Sequence, residues 1–171
     1  MVQEDKAMML PIVCIVGRSN TGKTMLVTRL VPELRRRGYR VGTVKHDHRG
    51  AEIDHEGKDS YLHFHSGADA TVLASPKRVA LVKRLDEGWG PEEVAEQLLG
   101  DMDLVLVEGF KGSRFPKIEV FRSDAHDTPV CTDVDHRVAV VTDVDLGVSV
   151  PQFAPDDVAG VVDLIERMFL G

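Results

Sequence analysis

The chain has 171 residues, of which 43% are hydrophobic, and its formal net charge is -7 at pH 7. This length and composition predict one domain over residues 1–171 with a full hydrophobic core, preceded by a flexible leader at residues 1–7. The acidic surplus argues against nucleic acid or an anionic membrane as the main partner, because phosphate-rich surfaces attract an excess of Lys and Arg. We find no signal peptide and no apolar run near the ~18 residues of a membrane span, so we expect a cytoplasmic protein.

Strands and helices alternate along the chain. In order, the pattern predicts strand 11–16, helix 22–37, strand 40–45, helix 58–66, strands 70–74 and 79–82, helix 91–99, strands 103–107, 117–122 and 137–141, and helix 156–170. The first helix contains Pro32, which we expect to bend it. Alternating charges in 117–122 predict a half-exposed strand. Helices between strands favour parallel crossovers, so we predict a three-layer α/β fold with a mostly parallel sheet flanked by helices.

The two cysteines provide neither a disulfide framework nor the spacing of metal ligands. Cys14 lies in the first predicted strand, where we expect it to be a small core residue. Cys131 falls in a polar loop.

Residues 17–24 read G-R-S-N-T-G-K-T, a complete G-x-x-x-x-G-K-[ST] phosphate loop, directly after the apolar run 11–16. A strand that enters a glycine-rich turn and then a helix directs backbone N–H groups and the positive end of the helix dipole at one point, where a phosphate fits. Lys23 would reach the β- and γ-phosphates of a nucleoside triphosphate, and the Thr24 hydroxyl would coordinate Mg²⁺. The motif predicts a P-loop NTPase-like protein.

Glu108 ends the strand 103–107. Ligands of open α/β sheets bind at the carboxyl ends of strands, so this carboxylate can face the same crevice as the loop. We predict that it holds Mg²⁺ through a water molecule or orients the attacking water. The alternative is an acid that caps a helix or faces solvent.

Asp143 follows the strand 137–141. A carboxylate there can accept hydrogen bonds from the N1–H and the exocyclic amine of guanine, a pair of donors that adenine lacks. The competing interpretation is a loop aspartate before a turn.

Histidines and acids are dense between residues 45 and 65, among them His46, His48, His63 and His65. Their spacing does not match a transition-metal site, because His63 and His65 fall on different faces of a helix. We favour a mobile switch segment that presents Asp54 and Asp59 to the phosphate region, with Asp54 as a further Mg²⁺ ligand. The order of this segment would depend on the γ-phosphate and Mg²⁺.

These motifs together resemble the molybdopterin-guanine dinucleotide biosynthesis protein B (MobB) family. The resemblance covers roughly residues 10–169. It is carried by the loop 17–24, Lys45-His46, Asp54 with residues 57–60, the turn 66–68, and residues 106–111 and 116–120.

The resemblance implies a GTP-binding protein, at most a weak GTPase, that assists a molybdopterin guanylyltransferase-type enzyme in joining GMP to molybdopterin. It also implies a homodimer around an extended sheet. Glu108 would then face the phosphates, and the loop 76–78, which includes Arg78, would lie near the nucleotide. The residues that would cradle the phosphates are Gly17, Asn20, Thr21, Gly22, Lys23 and Thr24.

Asn20 departs from the glycine often seen in this loop, but Asn tolerates left-handed backbone angles, so we expect the turn to survive. We find no arginine finger or catalytic glutamine near the motif, which predicts slow hydrolysis. The residues Lys111, Arg114 and Lys117 form a basic cluster that could meet a pterin phosphate or be a solvated strand edge.

Two other functions remain open at the level of sequence. One is a small-molecule kinase with Asp47 or Asp54 as general base. The other is a nickel or zinc chaperone GTPase that binds metal through His46, His48 or His63.

Overall fold

The computed structural model describes residues 10–47, 50, 52–131 and 136–171. Its strands are β1 Ile12–Val16, β2 Val41–Lys45, β3 Ala70–Ser75, β4 Arg78–Lys83, β5 Leu104–Glu108, β6 Lys117–Val120, β7 Arg137–Val141 and β8 Gln152–Phe153. Its helices are α1 Lys23–Arg36, α2 Asp59–His65, α3 Pro91–Leu98 and α4 Val158–Ile165, and a π-helical segment Glu166–Leu170 follows α4. Every predicted helix and strand is confirmed, whereas β8 was not predicted. The predicted leader 1–7 and His48 lie outside the described residues.

Six strands form one sheet in the order β2-β5-β1-β6-β7-β8, and all neighbouring strands are parallel. Helices α1 and α4 pack on one face of this sheet, where Leu30 and Ile165 join Ile15 in a buried cluster. Helix α3 packs on the other face through Ala95, beside Cys14. The three-layer α/β fold with a mostly parallel sheet is therefore confirmed.

Helix α1 begins at the end of the glycine-rich loop and carries one apolar stripe. Leu26, Leu30 and Leu34 recur every four residues and are all buried against the sheet. The helix runs through Pro32 and ends before Gly38, whose φ of 101° is the left-handed conformation that commonly stops a helix. The loop at its start is thereby fixed to the centre of the sheet.

Strand β6 differs from its predicted half-exposed character. It lies between β1 and β7, and all four of its residues are buried. The Lys117 ammonium donates to the carbonyl oxygens of Ser113 at 2.5 Å and Phe115 at 3.3 Å, and Glu119 pairs with Arg137 at 3.0 Å. The half-exposed interpretation was wrong because both charged side chains of β6 are buried and find polar partners there.

Both cysteines are free thiols, and both are buried. Cys14 is a core residue, as predicted, and burial raises the pKa of its thiol. Cys131 lies outside the strands and helices, as predicted, but it is 7% exposed and joins the buried apolar cluster that contains Cys14.

The described residues fall into two compact units, one formed by residues up to His46 with Gly90–Gly171 and the other by Asp47–Trp89. The second unit contains α2 and an antiparallel hairpin of β3 and β4. Large apolar side chains are exposed on this hairpin: Val72 at 58%, Leu73 at 59% and Val79 at 72%. That the whole chain acts as a single domain stays a prediction.

Within the described part of the chain, no helix combines the length and the apolar content needed to cross a membrane.

Candidate functional site

The glycine-rich loop leaves the carboxyl end of β1 with a backbone that L side chains rarely adopt. Gly17 has a φ of 147°, and a Cβ there would lie 2.4 Å from the carbonyl oxygen of Val120, closer than real atoms approach. Asn20 and Gly22 have φ values of 65° and 96°. The turn is thus compatible with Asn20, since Asn is one of the few residues other than glycine that adopts this region.

Lys23, the first residue of α1, points back across the loop. Its ammonium donates to the carbonyl oxygen of Arg18 at 2.6 Å, and the Thr21 hydroxyl donates to the same oxygen at 3.0 Å. Burial lowers the pKa of Lys23, the charge of Glu108 raises it, and the charge of Lys45 lowers it. The charges of Glu108 and Lys45 therefore have opposite effects on the pKa of Lys23.

Three functional side chains meet at the carboxyl ends of adjacent strands. The Thr24 hydroxyl lies 2.9 Å from both carboxylate oxygens of Glu108, and the Lys45 ammonium lies 3.2 Å from Glu108 Oε1. The strand register explains this meeting, because Glu108 in β5 is paired with Ile15 of β1 on one side and with Lys45 of β2 on the other. The hydroxyl and carboxylate oxygens are donors that Mg²⁺ prefers, so these residues fit that ion.

Lys45 is a residue of this site for which the sequence analysis assigned no role. It contributed only to the family resemblance, although its position at a strand end beside Glu108 was already a usable signal. With a side chain 66% exposed, it is accessible to an anion at the mouth of the site.

The end of β5 and the residues that follow it contact the residue that follows β2 through a hydrogen bond and a ring stack. The amide of His46 donates to the Glu108 carbonyl at 3.0 Å, and the His46 ring stacks on Phe110 with centroids 3.9 Å apart. Gly109 has a φ of 112°, and a Cβ at this position would lie 2.9 Å from His46 Cβ. This close approach and the positive φ favour glycine directly after Glu108.

Asp143 lies after β7, as predicted, with both of its oxygens engaged. Oδ1 accepts from the Ser123 amide at 2.9 Å and Oδ2 from the Ser123 hydroxyl at 3.0 Å, while Arg122 Nε is 3.5 Å from Oδ2. The Ser123 amide is the main cause of the lowered pKa of Asp143. Asp143 thus holds the turn after β6, and its contact with a base stays a prediction.

Asp54, Asp59 and Arg78 belong to the second unit. Asp54 accepts from the His55 amide at 2.8 Å, and a hydrogen bond from Ser60 lowers its pKa. Asp59 is the first residue of α2, and Arg78 is the first of β4. Their proposed roles toward phosphate, Mg²⁺ and nucleotide stay predictions.

Two of the described histidines, His46 and His65, stack on aromatic rings. His65 stacks on Tyr61 with centroids 3.8 Å apart. Among residues 10–47, 50, 52–131 and 136–171, no three His, Cys, Asp or Glu side chains are placed to hold a metal ion together.

The expected basic cluster is not one exposed surface. Lys117 is 1% exposed within β6, and Arg114 forms an ion pair with Glu92 at 2.5 Å. A solvated strand edge is also excluded for Lys117, because β6 is an internal strand.

The parallel sheet, the glycine-rich loop after β1 and the acid at the end of β5 define a P-loop NTPase-like α/β protein. The family model described as Molybdopterin guanine dinucleotide synthesis protein B matches residues 12–143. The chain belongs to this family.

Named relatives are similar over most of their length. The molybdopterin-guanine dinucleotide biosynthesis adapter protein of Escherichia coli (strain K12) is 38% identical over 164 residues, covering 92% of each chain. The protein of the same name from Haemophilus influenzae is 34% identical over 160 residues, covering 92% of this chain and 89% of the relative.

Crystal structures of family members share the fold. That of molybdopterin-guanine biosynthesis protein B (mobB) has a TM-score of 0.72 and 33% identity, covering 92% of this chain and 99% of the other. The crystal structure of Bacillus subtilis MobB has a TM-score of 0.70 and 26% identity, covering 90% and 97%.

Proposed function

We propose that this protein binds GTP with Mg²⁺ and acts as an adapter in the synthesis of molybdopterin guanine dinucleotide. Its partner would be a molybdopterin guanylyltransferase-type enzyme that joins GMP to molybdopterin. The observation that carries the proposal is the 2.9 Å contact between the Thr24 hydroxyl and the Glu108 carboxylate at the start of α1. Two oxygen donors held beside a phosphate loop are what a nucleotide-bound Mg²⁺ requires.

The phosphates would be bound by the loop backbone and by Lys23. The left-handed angles at Asn20 and Gly22 support this assignment, because such turns direct successive backbone N–H groups toward one anion. Two further residues stabilise the loop conformation. The Thr21 hydroxyl donates to the Arg18 carbonyl, and Gly17 allows the backbone to approach Val120 closely. Thr24 and Glu108 would hold the Mg²⁺, which supplies charge neutralisation at the phosphates when bound.

Any hydrolysis by the isolated protein should be slow. Lys45 is a cation at the end of β2, yet its ammonium is 3.2 Å from Glu108, so part of its charge is already compensated. An arginine finger raises hydrolysis by about 10³- to 10⁵-fold in proteins that have one. We therefore assign to GTP the role of a bound regulator.

We also propose a cytoplasmic homodimer. The β3–β4 hairpin supports a self-association surface, because Val72, Val79 and Leu81 share one face of it in the strand register and are 58%, 72% and 37% exposed. Contiguous exposed apolar side chains commonly mark protein interfaces. Sedimentation of the native protein and of a Val72→Lys, Val79→Lys variant tests the dimer, since only the native chain should sediment as a dimer.

The decisive experiment is calorimetric titration of GTP in the presence of Mg²⁺. We expect saturable binding by the native protein and loss of binding in Lys23→Ala. Lys111→Ala is the matched control, because Lys111 is an exposed lysine of the same unit, and it should bind as the native protein does. Absence of heat from the native protein at millimolar GTP would refute the proposal.

The adapter role needs a separate measurement. Formation of the guanine dinucleotide by the guanylyltransferase-type enzyme should accelerate when the native protein is added with GTP. Lys23→Ala should not produce this acceleration. A phosphorylated small-molecule product in the same assay would instead favour the kinase alternative.

A further inference from the structure

A cleft of about 190 Å³ opens beside the phosphate loop. One wall is formed by the loop and the first turn of α1, and the other by the chain after β6 and the end of β7. Its lining includes Asn20, Met25, Arg122, Asp124, Val141 and Pro155. The cleft lies at the carboxyl ends of parallel strands, which is where open α/β sheets bind their ligands.

The lining suits a flat aromatic ligand. Met25 follows the Mg²⁺-binding threonine directly and is 56% exposed, so an apolar thioether is available beside the loop. Arg122 supplies a planar guanidinium, a group that stacks on aromatic faces. Its Nε is buried and makes no hydrogen bond with the described residues, although Asp143 Oδ2 lies 3.5 Å from it. A terminal nitrogen of the same guanidinium donates to Asp124 Oδ2 at 3.4 Å.

Two carboxylates lie near this cleft, and their surroundings differ. Asp143 is 26% exposed, and each of its oxygens already accepts a hydrogen bond from Ser123. Asp124 is 69% exposed, lies 3.4 Å from Arg122 and lines both this cleft and an adjoining cleft of about 340 Å³. Asp124 therefore exposes its carboxylate to a ligand, with a single long hydrogen bond from Arg122 to Oδ2, whereas both oxygens of Asp143 accept shorter hydrogen bonds from Ser123.

We infer that this cleft receives the guanine ring and that Asp124 accepts the hydrogen bonds of its N1–H and exocyclic amine. Guanine presents these two donors side by side to one carboxylate, and adenine does not. Arg122 covers the face of the ring, and Asp143 is a positioning residue that holds Ser123 and, through it, Asp124. This inference rests on the proposed GTP binding and adds the residue that selects the base.

The test is titration of GTP, xanthosine triphosphate, ATP and inorganic triphosphate, each with Mg²⁺, into the native protein and three variants. In Asp124→Asn we expect GTP binding to weaken by about tenfold to a hundredfold and xanthosine triphosphate to bind more tightly than GTP. Inorganic triphosphate should bind unchanged, because it leaves the cleft empty. Asp127→Asn is the matched control, since Asp127 lines only the adjoining cleft, and it should behave as the native protein does.

Asp143→Asn separates positioning from direct contact. We expect it to weaken GTP and xanthosine triphosphate by the same factor and to leave inorganic triphosphate unchanged. A general structural role would weaken inorganic triphosphate as well. If the preference for xanthosine triphosphate arises in Asp143→Asn instead of Asp124→Asn, the inference is overturned.

Failure of this inference can be told apart from failure of GTP binding itself. A native protein that binds GTP, with an unchanged ratio of GTP to xanthosine triphosphate affinity in Asp124→Asn, overturns the base assignment alone. A native protein that binds neither GTP nor inorganic triphosphate overturns the proposed function, and the base assignment with it.

Discussion

Thr24 and Glu108 are joined by a hydrogen bond of 2.9 Å, although 84 positions separate them in the chain. The bond links the first turn of α1 to the end of β5. Strand β1 positions both residues. Its carboxyl end continues into the loop that contains Thr24, and its edge pairs with β5, which ends at Glu108. The two oxygen ligands proposed for Mg²⁺ therefore depend on the pairing of β1 with β5.

Replacing Thr24 tests this pair. Thr24→Val should lose most of the Mg²⁺-dependent part of GTP affinity, because the hydroxyl that would coordinate the ion is gone. Thr24→Ser keeps the hydroxyl and serves as the matched control. Titrations of GTP with Mg²⁺ and with EDTA measure the Mg²⁺-dependent part of the affinity. An equal Mg²⁺-dependent part in Thr24→Val and Thr24→Ser would contradict the assignment of Thr24 as a Mg²⁺ ligand.

Lys45 should favour the triphosphate over the diphosphate. Lys45→Met removes a cation that lies 3.2 Å from Glu108 and that helps to lower the pKa of Lys23. We expect the ratio of GTP to GDP affinity to fall by about tenfold, the effect of ~1.4 kcal/mol. Lys111→Met is the control, and a loss of GDP affinity as large as that of GTP would count against this role.

Gly17 should tolerate no side chain. In Gly17→Ala the new Cβ would meet the Val120 carbonyl oxygen at 2.4 Å with a φ of 147°. Gly147→Ala is the control, because its φ is also positive, at 60°, but its Cβ has nothing within 4 Å. Urea unfolding should show a loss of about 1 kcal/mol for Gly147→Ala and a larger loss for Gly17→Ala; equal losses would exclude the steric explanation.

The buried pair of Glu119 and Arg137 should contribute strongly to stability. Both side chains are 3% exposed or less, and Glu119 also accepts from the Cys131 amide at 3.2 Å. Glu119→Gln should lower the free energy of unfolding by about 3–5 kcal/mol, because it removes the carboxylate charge that lies 3.0 Å from the buried guanidinium of Arg137. Glu92→Gln breaks the exposed pair with Arg114 and should cost less than about 1 kcal/mol.

Glu33 should make stability depend on acid pH. Hydrogen bonds from Arg36 and then Arg37 lower the pKa of Glu33 from 4.5 to about 2. The carboxylate of Glu33 takes up a proton more readily in the unfolded chain than in the folded one. Its contribution to the free energy of unfolding is therefore complete above pH 4.5 and is lost as the pH falls toward 2. The difference in urea midpoint between the native protein and Glu33→Gln should therefore shrink below pH 4.5, and a difference that persists unchanged at pH 2.5 would exclude this cause.

The features that could be predicted from the sequence are those set by local pattern. The phosphate loop is one continuous motif, and the strand ending at Glu108 is one apolar run, so neither requires knowledge of distant residues. The spacing of Leu26, Leu30 and Leu34 likewise identifies the buried face of α1 without the structure.

The features that were missed depend on strand order. Lys117 and Glu119 alternate with apolar residues, which is typical of a strand with one solvated face, but β6 is internal and covered on both sides. The proposed role of Asp124 could not be suggested from the sequence, because only the structure shows that Ser123 engages both oxygens of Asp143. Strand β8 has two residues, too few to give a periodic signal.

Burial of the thiols makes the protein suited to site-directed labelling. Cys14 and Cys131 are the two cysteines of the chain, and neither side chain is accessible to a bulky reagent. A maleimide fluorophore should therefore leave the native protein unmodified and attach at one position in Met25→Cys, on the rim of the cleft beside the loop. Its emission would then report ligand occupancy in real time, without the background that a reactive native thiol brings.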